Sequence, residues 1–252
     1  MAFLYDTKLI FLRNVQKTLR NPVWVVFGLF QPLCFFLLFT PLLTKLVDIP
    51  GFGSGNALNV FTPGLLIMMA MFAAWTGMAF IDDIRSGVIE RFMVTPISRA
   101  AILVGRSLRD VLILFVQSLF IIILAWLFGM SAPLLGIFLS LIITLIAGFS
   151  FAVLSHGAAM ILKDEDSLAP ALNFFLLPMQ LLAGIILPIT LAPFWLQKMA
   201  LLNPLSYAVA ATRELFSGSY VNMVVLQGFG IILLVAMLAF YWAARQFNKW
   251  EN

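Results

Sequence analysis

Apolar residues fall along this chain in blocks long enough to cross a bilayer, with short polar intervals between them. A crossing helix needs about 20 predominantly apolar residues. Six blocks meet or approach that requirement, at roughly 23–43, 60–81, 111–128, 134–162, 168–187 and 223–244. Pro32 and Pro41 fall in the first block and Pro170 and Pro178 in the fifth. Proline is tolerated inside a membrane helix where neighbouring groups re-satisfy the freed backbone. The fourth block exceeds the bilayer thickness and predicts tilting or extension into the interface. The pattern predicts an all-α integral membrane fold of six transmembrane helices, a single transmembrane domain over residues 1–252.

The intervals carry the remaining elements. Within 1–22, Phe11, Leu12, Val15 and Leu19 share one helical face while Arg13, Lys17 and Arg20 share another. This fits an interfacial helix over 3–20 against an anionic surface, or a basic tail that only sets orientation. A glycine-rich interval, Pro50 to Gly55, has the wrong spacing for a dinucleotide loop. The interval from Asp82 to Asp110 predicts a helix starting at Asp82 and Asp83, where negative charge suits the macrodipole. Ile84, Val88, Phe92 and Met93 would form its apolar face. Thr95-Pro96 should stop it, and Ser98 should cap a helix beginning at Arg99. Residues 188–222 are broken by Pro188, Pro193 and Pro204, with Trp195 suited to an interface. They predict one or two half-buried helices re-entering the outer leaflet.

Composition narrows the class. The 252 residues are 63% hydrophobic and 10% charged, against about 25% charged in soluble domains. The net charge of +4 resides in intervals and is not gathered on one face, so nothing predicts nucleic-acid binding. With both termini inside, twelve Lys and Arg lie on the inner side (Lys8, Arg13, Lys17, Arg20, Arg85, Arg91, Arg99, Arg106, Arg109, Lys163, Arg245, Lys249). Three lie outside, namely Lys45, Lys198 and Arg213. That bias predicts a cell-membrane protein with cytoplasmic termini.

Candidate chemistry is sparse. Cys34 and His156 are the single cysteine and histidine, so neither a disulfide nor a zinc site is expected. No catalytic residue and no metal ligand is predicted. The chain lacks a G-x4-GK[ST] phosphate loop, so it is not expected to bind ATP itself in the usual way. His156 lies inside the fourth block, either as a functional intramembrane group or as a neutral imidazole bonded between helices. Arg106, Arg109 and Asp110 are expected at the mouth of the third span, leaving every titratable group but His156 in a loop or at a span end.

Two sets of residues resemble a known family. Arg85-x-Gly87-x-x-Glu90-Arg91 followed by Thr95-Pro96-Ile97-Ser98-Arg99 is similar to the "GTLE-x-L-x-x-TP-[IV]-SR" element of type-2 ABC transporter permeases, the membrane subunits of daunorubicin-resistance and Nod-factor exporters. Val88-Ile89 replaces the common Thr-Leu. Further on, Gly184, Pro188, Pro193, Trp195 and Asn203-Pro204 resemble the family's "SG-x-x-x-P…LP-x-W…NP" segment, with Ala183 in place of the serine. Arg213, Glu214 and Gly218 follow the family's "R-x-x-x-x-G".

The resemblance implies that 82–100 is a cytoplasmic coupling helix resting on a separate ABC ATPase subunit, and that 188–222 is an external segment. It also implies pairing with a second copy or a similar permease. The implied function is export of an amphipathic drug, lipid or lipid-linked glycan from the cytoplasm or inner leaflet. An ion-coupled carrier working without an ATPase is the alternative, and a membrane-embedded lipid-modifying enzyme lacks a polar cluster of convincing spacing. The expected absence of buried charge argues for energy delivered from outside the membrane.

Overall fold

A computed structural model describes residues 2–21, 23–43, 56–95, 97–186 and 189–249, and among these every regular element is helical. Four helical stretches are long and apolar enough to cross a membrane: Ala57–Arg85, Arg99–Leu127, Leu134–Leu162 and Met223–Phe247. They correspond to four of the six predicted blocks. The first block forms α2 (Val23–Leu43), matching the predicted bounds, and α1 (Ala2–Arg20) precedes it. The fifth forms α8 (Glu165–Leu182), 18 residues or about 27 Å of helix. The chain is an all-α membrane protein.

The first of these stretches, Ala57–Arg85, is not one uniform helix. It consists of α3 (Ala57–Phe72), a 3-10 turn at Ala73–Trp75 and α4 (Thr76–Arg85). The interruption has a visible cause in α7 (Leu134–Leu162). Ser155 of α7 donates its hydroxyl to the Ala74 carbonyl and accepts from the Gly77 N–H at 3.1 Å. A side chain inserted into the i→i−4 ladder locally tightens or bends it. Gly77 makes the approach possible, since a Cβ there would stand 2.8 Å from the Ser155 carbonyl oxygen.

α7 is the central helix. Small residues along it let neighbours close in, as apolar helices require when no water drives them together. Gly148 lies against Leu114 of α6 (Arg99–Leu127), and Gly157 against the Trp242 ring of α11 (Met223–Lys249). Two apolar clusters result. The larger joins α2, α3, α6, α7 and α10 (Pro204–Phe216). The smaller, with Ile10, Phe80, Ile81, Ile89, Ile102, Leu168 and Phe247, lies at the end of the bundle where α4 stops, here called the basic end.

Several expectations are corrected. Asp82 and Asp83 stand in the last turn of α4 and do not start a helix, because the apolar face from Phe80 and Ile81 continues through them. The segment after α4 turns at Ser86-Gly87 and forms a six-residue helix, α5 (Val88–Met93). α6 begins at Arg99 with Ser98 at its cap position, as predicted, but the Ser98 side chain makes no capping bond. The third span therefore continues twelve residues further back than Val111. α8 ends five residues before the predicted 187, at a turn where Gly184 takes φ +68°. The sixth block, predicted to end at 244, continues as helix to Lys249. Between α8 and α11 lie a short turn at Ile189–Leu191, α9 (Phe194–Ala200) and α10. The Pro50–Gly55 interval, Lys45, Pro96 and Pro188 lie outside the described residues.

Candidate functional site

The basic end presents α5 on its surface. Ile89 is fully buried beneath it and Phe92 is half-buried. Of the predicted apolar face, Ile84 and Phe92 pack half-buried on the smaller cluster, and Ile89, outside that face, is the deepest anchor. Arg85, Glu90, Arg91, Val94 and Thr95 are exposed around that anchor. Gly87 begins α5 with φ +69°, a left-handed conformation costly to any residue with a Cβ. The Arg13 guanidinium of α1 stacks 4.7 Å above the Phe92 ring. Arg85 reaches Asp164 at 2.8 Å and Glu165 at 3.5 Å, and Arg99 donates to the Phe247 carbonyl at 3.4 Å. The segment 85–99 is thereby tied to α1, α8 and α11. Of the residues that the resemblance grouped, Arg85, Glu90, Arg91 and Thr95 are exposed, Gly87 and Arg99 are half-buried, and Pro96 lies outside the described residues.

Behind that surface lies what sequence reasoning missed, a buried charge network. Asp83 of α4 binds Arg106 of α6 at 2.5 Å and Lys17 of α1 at 2.8 Å. The Arg106 side chain is 3% exposed and stacks 4.6 Å over Phe80. Asp110, one turn on, is 1% exposed, with Arg109 Nε at 3.1 Å and His156 Nε2 of α7 at 3.4 Å. Among the described residues neither Asp110 oxygen has a well-aligned hydrogen bond. Ser107 Oγ stands 3.3 Å from His156 Nδ1, and Thr76 Oγ1 stands 3.5 Å from Nε2.

The expectation that His156 is the one interior ionisable group is overturned, since Arg106 and Asp110, placed by the sequence at the span mouth, are buried among helices. A helix that begins at Arg99 carries position 106 two turns inward, and the i, i+4 spacing of Arg106 and Asp110 was the signal. Asp83 faces the buried Arg106 and Asp110 the half-buried Arg109, and pairing of this kind is how charge survives away from water.

At the opposite end, Asn203 caps α10, accepting from Leu205 N at 3.1 Å, and donates to the Met179 carbonyl at 2.7 Å. Pro204 occupies the first turn of α10, where no donor is lost. Pro193 caps α9, and Trp195 is exposed on it. Gly184 makes the turn that leaves α8. Arg213, expected as an external loop cation, is instead half-buried and donates to the carbonyls of Val60, Gly184 and Ile185. These motif residues meet at the end of the bundle remote from α5. Among the described residues, no three His, Cys, Asp or Glu side chains converge for a metal ion.

Apolar helices of crossing length, packed through small residues and fitted with a charged surface helix at one end, define a multi-pass membrane permease. The chain belongs to the ABC-2 type transporter family, whose pattern matches residues 5–217. It is 27% identical over 230 residues to the daunorubicin resistance ABC transporter permease protein DrrB1 of Streptomyces coeruleorubidus, covering 86% of this chain and 78% of that protein. It is likewise 27% identical over 250 residues to the inner membrane transport permease YadH of Escherichia coli K12, covering 93% of this chain and 91% of that one.

Proposed function

We propose that the chain is the membrane-spanning subunit of an ATP-driven exporter, with the basic end and both termini in the cytoplasm. α5 is the coupling helix: it sits against a separate ATPase subunit that binds ATP and magnesium, and this permease pairs with a second copy or a similar permease. The observation that carries the reading is the exposed set Arg85, Glu90, Arg91, Val94 and Thr95, mounted on buried Ile89 and braced by ties to three other helices. A surface so braced moves its helices as rigid bodies when pushed. The cargo is amphipathic: a drug, a lipid or a lipid-linked glycan. The named daunorubicin permease makes anthracyclines the first class to assay.

Glu90→Ala with Arg91→Ala should lower co-purification of the ATPase and its transport-stimulated hydrolysis, while the permease still inserts in the membrane. Unchanged association and unchanged hydrolysis would overturn the assignment of α5.

The buried Asp110–His156 pair favours a second reading, a carrier driven by an ion gradient, because such pairs mark proton paths in membrane proteins. Uptake into proteoliposomes without any ATPase, lost on His156→Ala, would establish it.

A further inference from the structure

α8 is fastened by polar contacts at its two ends, while between them Leu172 and Leu176 rest half-buried on the apolar clusters. Of its 18 residues only Leu168 is buried, whereas Phe174, Phe175, Leu177 and Leu181 lie exposed. At its start, Asp164 accepts from Ser167 N at 3.1 Å, capping the helix, and the same carboxylate and Glu165 hold Arg85 of α4. At its end, carbonyls of the last turn and the exit are taken by side chains of α10. Asn203 donates to Met179, Ser206 to Leu182 at 3.0 Å, and Arg213 to Gly184 at 2.7 Å and Ile185 at 3.0 Å.

Arg213 is the unusual member. Among the described residues it forms no ion pair. Burying a cation is costly unless something compensates it, and here the compensation is three backbone carbonyls, those of Gly184 and Ile185 in the turn that leaves α8 and that of Val60 in α3. Withdrawal of α8 with its exit turn would strip two of the three bonds and leave the guanidinium with the Val60 carbonyl alone. The contact therefore favours two discrete positions, engaged or released, over a continuous slide.

We propose that α8 is the rod that carries displacement of the coupling segment to the opposite end of the bundle, and that Arg213 is the latch it engages there. The proposal builds on the reading of α5 as the coupling helix. Arg85 is the input, since it closes α4 immediately before α5 and grips the first turn of α8. The output is the α8–α10 junction, about 27 Å away along a helix of 18 residues. Pro170 and Pro178 each remove a backbone donor, yet the helix is continuous through both. A middle without buried anchors lets the element shift while its ends do the holding.

The test uses the full chain in lipid nanodiscs, with Cys34→Ser and spin labels at Leu181→Cys on α8 and Leu134→Cys on α7, both exposed and both at the far end. Arg85→Glu should add a second distance population there, and Asp164→Arg with Glu165→Arg should restore the single one. Arg213→Gln should add the same population from the other side; if that variant fails to fold, Ser206→Ala should add a smaller one. Far-end distances unmoved by Arg85→Glu would overturn the rod, and distances unmoved by loss of the α10 bonds would overturn the latch. These distances require no ATPase. Failure of the permease to bind one would count against the proposed function without altering the outcome here.

Discussion

At the scale of single residues, the decisive feature is a set of charges that hold one another out of water. Asp83 and Arg106 join α4 to α6 beneath the surface helix, with Lys17 reaching in from α1. Breaking a buried pair by removing one partner costs about 3–5 kcal/mol, while replacing both with apolar groups costs much less. Asp83→Ala should therefore lower the melting temperature of the purified protein sharply. Asp83→Leu with Arg106→Met should recover most of the loss, as read by thermal unfolding in detergent. Equal destabilisation by both variants would mean that packing, and not charge, dominates at this position.

At the scale of elements, the broken helix Ala57–Arg85 shows one helix shaping another. Its 3-10 turn coincides with the Ser155 hydroxyl, and Gly77 leaves no room for a side chain. Gly77→Val should force α4 from α7 and loosen the basic end that α4 supports, lowering stability by about 1–3 kcal/mol, the usual cost of overpacking. Gly77→Ala should show a smaller loss of the same sign. The measurement is unfolding midpoint together with protease sensitivity of the 85–99 segment. A tolerated valine would show that the close approach of the two helices is not needed.

At the scale of the molecule, the two ends differ in kind. One gathers the cations and the surface helix, and the other gathers Asn203, Arg213 and the exit of α8. If the first faces the cytoplasm, a cysteine at Val94, 87% exposed, should react with an impermeant maleimide only in inside-out vesicles. One at Val221, 96% exposed, should react only in right-side-out cells. The reverse pattern would invert the topology and remove the ATPase from reach of α5.

The chain alone determined the all-helical membrane class, the bounds of α2 and α7, and the start of α6 at Arg99. Each follows from local physics: block length against bilayer thickness, the donor that proline lacks, and the few residues suited to a turn or cap. Only the tertiary structure decided that Asp83, Arg106, Asp110 and His156 share one buried site, that Ser155 interrupts the helix facing it, and that Arg213 closes on the end of α8. Those facts depend on which helices touch. The cost of burying a charge is set by partners 23 to 153 residues distant in the chain, and no local pattern encodes that pairing.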